Sequence, residues 1–196
     1  MMTTDELLAI PSTEIVQRYK AEPAATSLAK QTPDGQQLLQ ALIEAEDFVG
    51  SVDFLAHWLP KPHGIWWGCL CLWNVEREAE TAELNTTLQM IIHWLQTGDD
   101  EQRQALSRVK QWFPSQHPAN LLAKAALCCG GSLSDSPLSP VPPPEYLPAV
   151  LVSATVKLLA SRGGPLQYLP RNQQFLQIGQ EILCGANLWY LEQPTG

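Results

Sequence analysis

Cys69 and Cys71, with His57 and His63 upstream of them, are the residues whose types most invite chemistry in this chain. Thiolate and imidazole are the ligands that zinc prefers, in a tetrahedral set. A thiolate with a base in reach is also a nucleophile. The spacing argues against the metal. On a helix, residues two apart point about 200° away from each other at the 3.6-residue period, so the two thiols do not converge on one ion. Cys128-Cys129 is an equally poor chelating pair, and Cys184 stands alone. The cysteines are therefore expected to pack as small hydrophobes, with no metal held. The four histidines, at 57, 63, 93 and 117, form no local signature with a cysteine. The chain contains no Gly-x-Ser-x-Gly elbow, His-Glu-x-x-His pair or phosphate-cradling glycine loop. No catalytic residue and no cofactor are assigned.

Two other groups could act without doing covalent chemistry. Glu76, Glu80 and Glu83 share a helical face at i, i+4 and i+7. Carboxylates so placed can move protons, hold a cation, form a solvated face, or make a docking stripe for a basic partner. Just before them, Leu59 to Trp73 holds three of the seven tryptophans and two of the five cysteines. A buried Trp removes about 150–250 Å² from water, so this stretch marks either the centre of a core or a binding surface. Trp66 and Trp73 lie seven apart and align, whereas Trp67 is turned by about 100°. The all-round apolar pattern favours a central helix enclosed on most sides. One tryptophan left partly uncovered would then serve as an interface anchor. The tentative partner-binding residues are Trp66, Trp67, Trp73, Glu76, Glu80 and Glu83. Gly64 and Gly68, four apart, leave room for close approach of another helix.

These residues must be positioned by helices. Thr3 and Glu6 form a capping box, and Pro11-Ser12 restarts the helix with Ile15, Val16 and Tyr19 on its apolar side. Residues 21–33 read as a loop. Asp34 caps a helix with Leu38, Leu39, Leu42 and Ile43 inward, and Phe48, Val52, Leu55 and Leu59 continue at helical spacing to Pro60. Pro62 suits the first turn of the Trp-rich helix, which runs to about Ala79. Thr81 to Gln96 is the next helix, stopped by Gly98, with Asp99 as the following cap. A helix over 100–113 and one from Pro118 to Gly130-Gly131 follow. Residues 132–148 are rich in Pro and Ser and form an extended connector, which could mark a boundary between lobes. Ala149 to Ala160 reads as a buried helix, although a strand is also open there. A last helix spans about Arg171 to Trp189. His57-Trp58-Leu59 recurs as His93-Trp94-Leu95, an interval that would suit a helical-hairpin repeat but is too short a match to establish one. The fold class is all-α: one domain over 1–196, with about eight helices packed around the Trp/Cys-rich helix.

Bulk properties narrow the partners. The net charge is −8. Residues 1–98 carry thirteen acidic and five basic groups against seven of each in 99–196, so the whole excess lies in the first half. Nucleic-acid binding needs a basic surface, and none exists. Another protein with a basic face fits better. The first residues lack the charged and apolar regions of a secretory signal, and Pro62 to Val75 is too short to span a bilayer. An odd number of cysteines suits a reducing compartment. A cytoplasmic protein without a membrane partner is expected.

The run Leu59-Pro60-Lys61-Pro62-His63-Gly64-Ile65-Trp66-Trp67-Gly68-Cys69-Leu70-Cys71 resembles the signature of an uncharacterised family of small bacterial proteins, in which Leu-Pro precedes Trp-Trp, a small residue and Cys-Leu-Cys. Arg171 to Gly179 is similar to that family's final helix. His63-Gly64 departs from the usual Glu-Ala, so no acidic role is carried over to that position. Some members lie near type VI secretion genes. The resemblance implies an accessory role in loading or assembling secreted toxins, and brings no catalytic residues with it. The expected function is a non-enzymatic adaptor or co-chaperone for such an effector or its carrier. The alternatives are an immunity protein that neutralises a toxin and an enzyme that uses Cys69 or Cys71.

Overall fold

The structure, a computed structural model, describes residues 3–79, 81–132 and 141–188. Eleven α-helices and two short 3-10 turns make up the regular structure of these residues, with no strand among them. They are α1 (Thr4–Leu8), α2 (Ser12–Gln17), α3 (Pro23–Gln31), α4 (Gly35–Glu44), α5 (Phe48–Trp58), α6 (Lys61–Glu76), α7 (Ala82–Thr97), α8 (Asp100–Ala105), α9 (Pro118–Leu127), α10 (Leu147–Ser161) and α11 (Pro165–Leu183). No helix is long and apolar enough to cross a membrane among the described residues.

Local chemistry accounts for most of the boundaries. Thr3 and Glu6 form the reciprocal capping box. Asp34 and Thr81 accept from the third backbone N–H of α4 and α7, and Asp47 does the same for α5. Each such cap is worth about 0.5–2 kcal/mol. Gly98 adopts φ 67°, the left-handed conformation that lets α7 end and Asp99 cap α8 at once.

Three expectations need correction. Residues 21–33 are not a loop: Pro23 opens α3, where its missing N–H costs nothing, and Ala25 and Ala29 are buried against α2. The Ser12 hydroxyl bonds the Ala29 and Thr32 carbonyls, fixing the end of α3 to the start of α2. The helix over 100–113 breaks after Ala105 into a 3-10 segment, Leu106–Gln111. At 3.0 residues per turn, Leu106 and Val109 eclipse, and both are buried. The last helix begins at Pro165 and ends at Leu183, with Pro170 inside it. Its first turns carry Leu166, 89 % exposed, with Leu169 also in solvent. Trp189 lies outside the described residues. With α3 added, the α-helices number eleven among the described residues, against the eight or so expected. Residues 149–160 are helical, within α10.

α6 is one of two hub helices; the other is α10, which packs against α5, α6, α9 and α11. α6 packs against α10, α11, α9 and α7, and buries Ile65, Trp67, Cys69, Cys71 and Leu72. Gly68 is where α9 comes closest: a Cβ there would lie 2.6 Å from a Leu122 methyl. Gly64 does not serve the same purpose, since a Cβ there would meet only the Leu59 Cβ at 4.0 Å. The helices on either side of residues 132–148, α9 and α10, lie against each other, so the chain returns to the same core after the connector. Residues 133–140 of that connector lie outside the described residues.

Candidate functional site

The three tryptophans of α6 separate as the helical period requires. Trp67 is fully buried, and its Nε1–H donates to the Phe175 carbonyl of α11 at 2.7 Å. Trp66 is half-buried, and its indole N–H donates to the Asn187 carbonyl at 2.6 Å. Trp73 is 40 % exposed. Trp66 and Trp73, with Leu70 between them, form one wall of a groove of about 480 Å³, and Leu88 and Ile92 of α7 form part of the other. The groove is therefore a mainly apolar slot between α6 and α7, with Asn85 and Gln89 also in its lining, while Trp67 faces the core.

The acidic face is smaller than the sequence pattern implies. Glu76 is largely buried and pairs with the Arg162 guanidinium, with His117 Nε2 at 3.8 Å. Arg171 in turn bonds the Arg162 carbonyl. Glu76 thus ties the end of α6 to the end of α10 and the start of α9, and it is not free to dock a partner. Burial and the neighbouring Arg171 hold the Arg162 pKa below its ordinary value. Glu80 lies outside the described residues. Glu83 is exposed in the first turn of α7, where a negative charge also favours the helix dipole. Glu78 is exposed as well.

Cys69 and Cys71 are buried, and burial pushes both thiols far above the range in which a thiolate forms. The half-buried Cys129 thiol is pushed up to about 12 by the same cause. Cys184 is exposed. No group of three or more His, Cys, Asp or Glu side chains stands ready to hold a metal among the described residues.

A polar cluster escaped the sequence reading. Asp53 of α5 accepts from the Ser153 hydroxyl and pairs with Lys157 at 2.7 Å, both on α10. One turn on, His57 is 4 % exposed, bonds the Asp53 carbonyl through Nδ1 at 2.8 Å, and stacks on Tyr19 with ring centroids 4.8 Å apart. The signal was present: Asp53 and Lys157 are single charges on otherwise apolar helices, where each is half-buried and draws an opposite charge. Beside this cluster lies a cavity of about 350 Å³, walled by α1, α2, the end of α5 and the starts of α6 and α10.

Burial lowers the pKa of His57, His63 and His117. The unfolded chain takes up protons near pH 6.5 that these folded sites resist. The unfolded state then binds more protons, so stability rises with pH there. It is complete above that value and falls as pH drops through it. The urea midpoint is expected to decrease between about pH 7.5 and 5.5, and His57→Gln should flatten the decline. An unchanged slope in the variant would show that His57 titrates alike in both states.

No curated protein matches the chain, and no solved structure does. One family model does match, across residues 38–183, which takes in most of α4 and every helix from α5 to α11. With the hub, its groove and the Asp53 cluster all inside that span, the chain belongs to a family of unknown function, DUF6931.

Proposed function

We propose that this chain is a non-enzymatic protein-binding factor, and that the α6–α7 groove takes an apolar side chain from a partner with basic residues. The observation that carries the reading is Trp73: on a helix whose other residues from Gly64 to Glu76 are buried or half-buried, it stays 40 % exposed at the lip of an apolar slot. Exposed aromatic side chains beside a pocket are the usual anchors of protein interfaces. Glu78 and Glu83 stand exposed nearby in sequence, and the acidic excess of the first half favours a basic partner. The buried thiols of Cys69 and Cys71 weigh against the cysteine-enzyme alternative. The resemblance to proteins encoded near type VI secretion genes adds a secreted effector or its carrier as the candidate partner, with this chain as adaptor or co-chaperone.

Affinity capture from host cells tests this with the full chain and its Trp73→Ala variant. A partner held by the wild type and lost by at least about tenfold in the variant, with the variant still fully folded by far-ultraviolet dichroism, supports the groove. Equal capture by both proteins overturns it. The acidic net charge of −8 favours a second reading, an immunity protein that covers a toxin. Co-expression with neighbouring toxin genes separates the two: restored growth marks immunity, and improved toxin stability or export marks the adaptor.

A further inference from the structure

The cavity beside α5 is lined by two side chains, Arg18 and His57, that each carry a sealed polar atom without a partner, and the two atoms have opposite needs. His57 Nδ1 faces the Asp53 carbonyl, which can only accept, so Nδ1 carries the proton and Nε2 is left as a bare acceptor. That Nε2 is buried and has no hydrogen-bond partner among the described residues. Arg18 donates from Nη1 to the His57 carbonyl at 3.0 Å and from Nη2 to Glu14 at 2.7 Å. Its Nε–H is buried and likewise without a partner among the described residues. Both side chains line the cavity. Buried groups left unpaired in this way destabilise the fold unless a water or a ligand meets them.

The surroundings have the same two-sided character. Arg18 and Lys61 contribute positive charge to the lining, and Glu14 and Glu145 contribute negative charge. α6 and α10, of sixteen and fifteen residues, both begin at this cavity, and neither has a side-chain cap. Their positive ends favour an anion. Leu7, Ile10 and Val152 supply an apolar part of the lining. A volume of about 350 Å³ falls at the small end of natural ligand pockets.

From the orphaned donor, the orphaned acceptor and the mixed charge, we propose that this cavity binds a small aliphatic α-amino acid. Its carboxylate meets Arg18 and the start of α6, its ammonium meets His57 Nε2 and the carboxylates, and its side chain lies on the leucine–isoleucine wall. Both orphaned atoms have almost no open surface, so binding includes a displacement at the mouth. Tyr146 borders it, with a ring 37 % exposed and 6.3 Å from the imidazole. The proposal is independent of the α6–α7 groove.

Calorimetry on the full chain with L-valine and L-leucine tests it, with isovalerate and isobutylamine as analogues that lack one charge each. Saturable binding of either amino acid is expected, with both analogues weaker by at least about tenfold, because each loses a charge-assisted hydrogen bond. Arg18→Lys, which keeps the charge and removes Nε, and Lys61→Gln, at an exposed position, should each weaken binding by about threefold or more. No saturable heat up to about 10 mM amino acid would mean that ordered water alone fills the site, and the proposal fails. It fails equally if the analogues bind as well as the amino acids, or if neither variant changes the affinity.

Discussion

Replacing Trp67 with alanine is expected to remove about 3–5 kcal/mol of stability, the usual cost of deleting a large aromatic from a packed core. The same change at Trp73, which is 40 % exposed, should cost clearly less, about 1–2 kcal/mol. Trp67 has no exposed surface, and its indole sits against α11, where a Cβ at Gly179 would come 3.0 Å from its Cε2. Deleting it opens a void at the contact between α6 and α11 and removes the donor to the Phe175 carbonyl. Against the total stability of about 5–15 kcal/mol usual for a domain, that loss brings the chain close to unfolding at room temperature. Urea titration followed by far-ultraviolet dichroism measures both variants. Equal losses at the two positions would contradict the division between a core tryptophan and a lip tryptophan on one helix.

Two glycine substitutions should move stability in opposite directions, although both add the same methyl group to a helix. Alanine at a helical glycine ordinarily stabilises by about 0.5–1 kcal/mol. Gly64→Ala should follow that rule, since a Cβ there meets only Leu59 at 4.0 Å. Gly35→Ala should instead cost about 1–3 kcal/mol through overpacking. A Cβ at Gly35 would lie 2.7 Å and 2.8 Å from two ring carbons of Trp58. That ring cannot swing aside: it is 1 % exposed, and its Nε1–H donates to the Leu7 carbonyl at 2.9 Å. Calorimetric melting of the two variants decides the matter, and a stabilised Gly35→Ala protein would show that Trp58 has room to shift.

What sequence made legible was what local chemistry decides. Thr3, Asp34, Thr81 and Asp99 start helices because their own side chains satisfy the first free N–H groups, a short-range effect that residue order displays. The rotation between Trp66 and Trp67 follows from helix pitch alone, and it sorts groove from core as observed. α3 was not legible, because its small residues carry little apolar signal and its position depends on Ser12, reached across the α2–α3 turn. Glu76 was misread for a related reason. Its spacing to Glu80 and Glu83 is local, whereas the cation that engages it, Arg162, is 86 residues away. The orphaned atoms of Arg18 and His57 belong to the same class, since only assembly of the elements leaves them unpaired. Their neighbours Asp53 and Lys157 were visible as isolated charges, but their pairing spans 104 residues.

The bond from Trp67 to the Phe175 carbonyl joins residues 108 positions apart. On a ribosome adding about 5–20 residues per second, the hub helix waits on the order of 5–20 s for the segment that covers it. Until α11 emerges, Trp67 and the face of α5 that α11 covers have no lid, and the nascent chain presents its most apolar surface to the cell. The protein's own birth is thus a period of dependence on holding factors, and slower elongation between α6 and α11 would lengthen it. A truncation before Pro165 should accordingly aggregate or be degraded, even though it retains the whole Trp-rich segment.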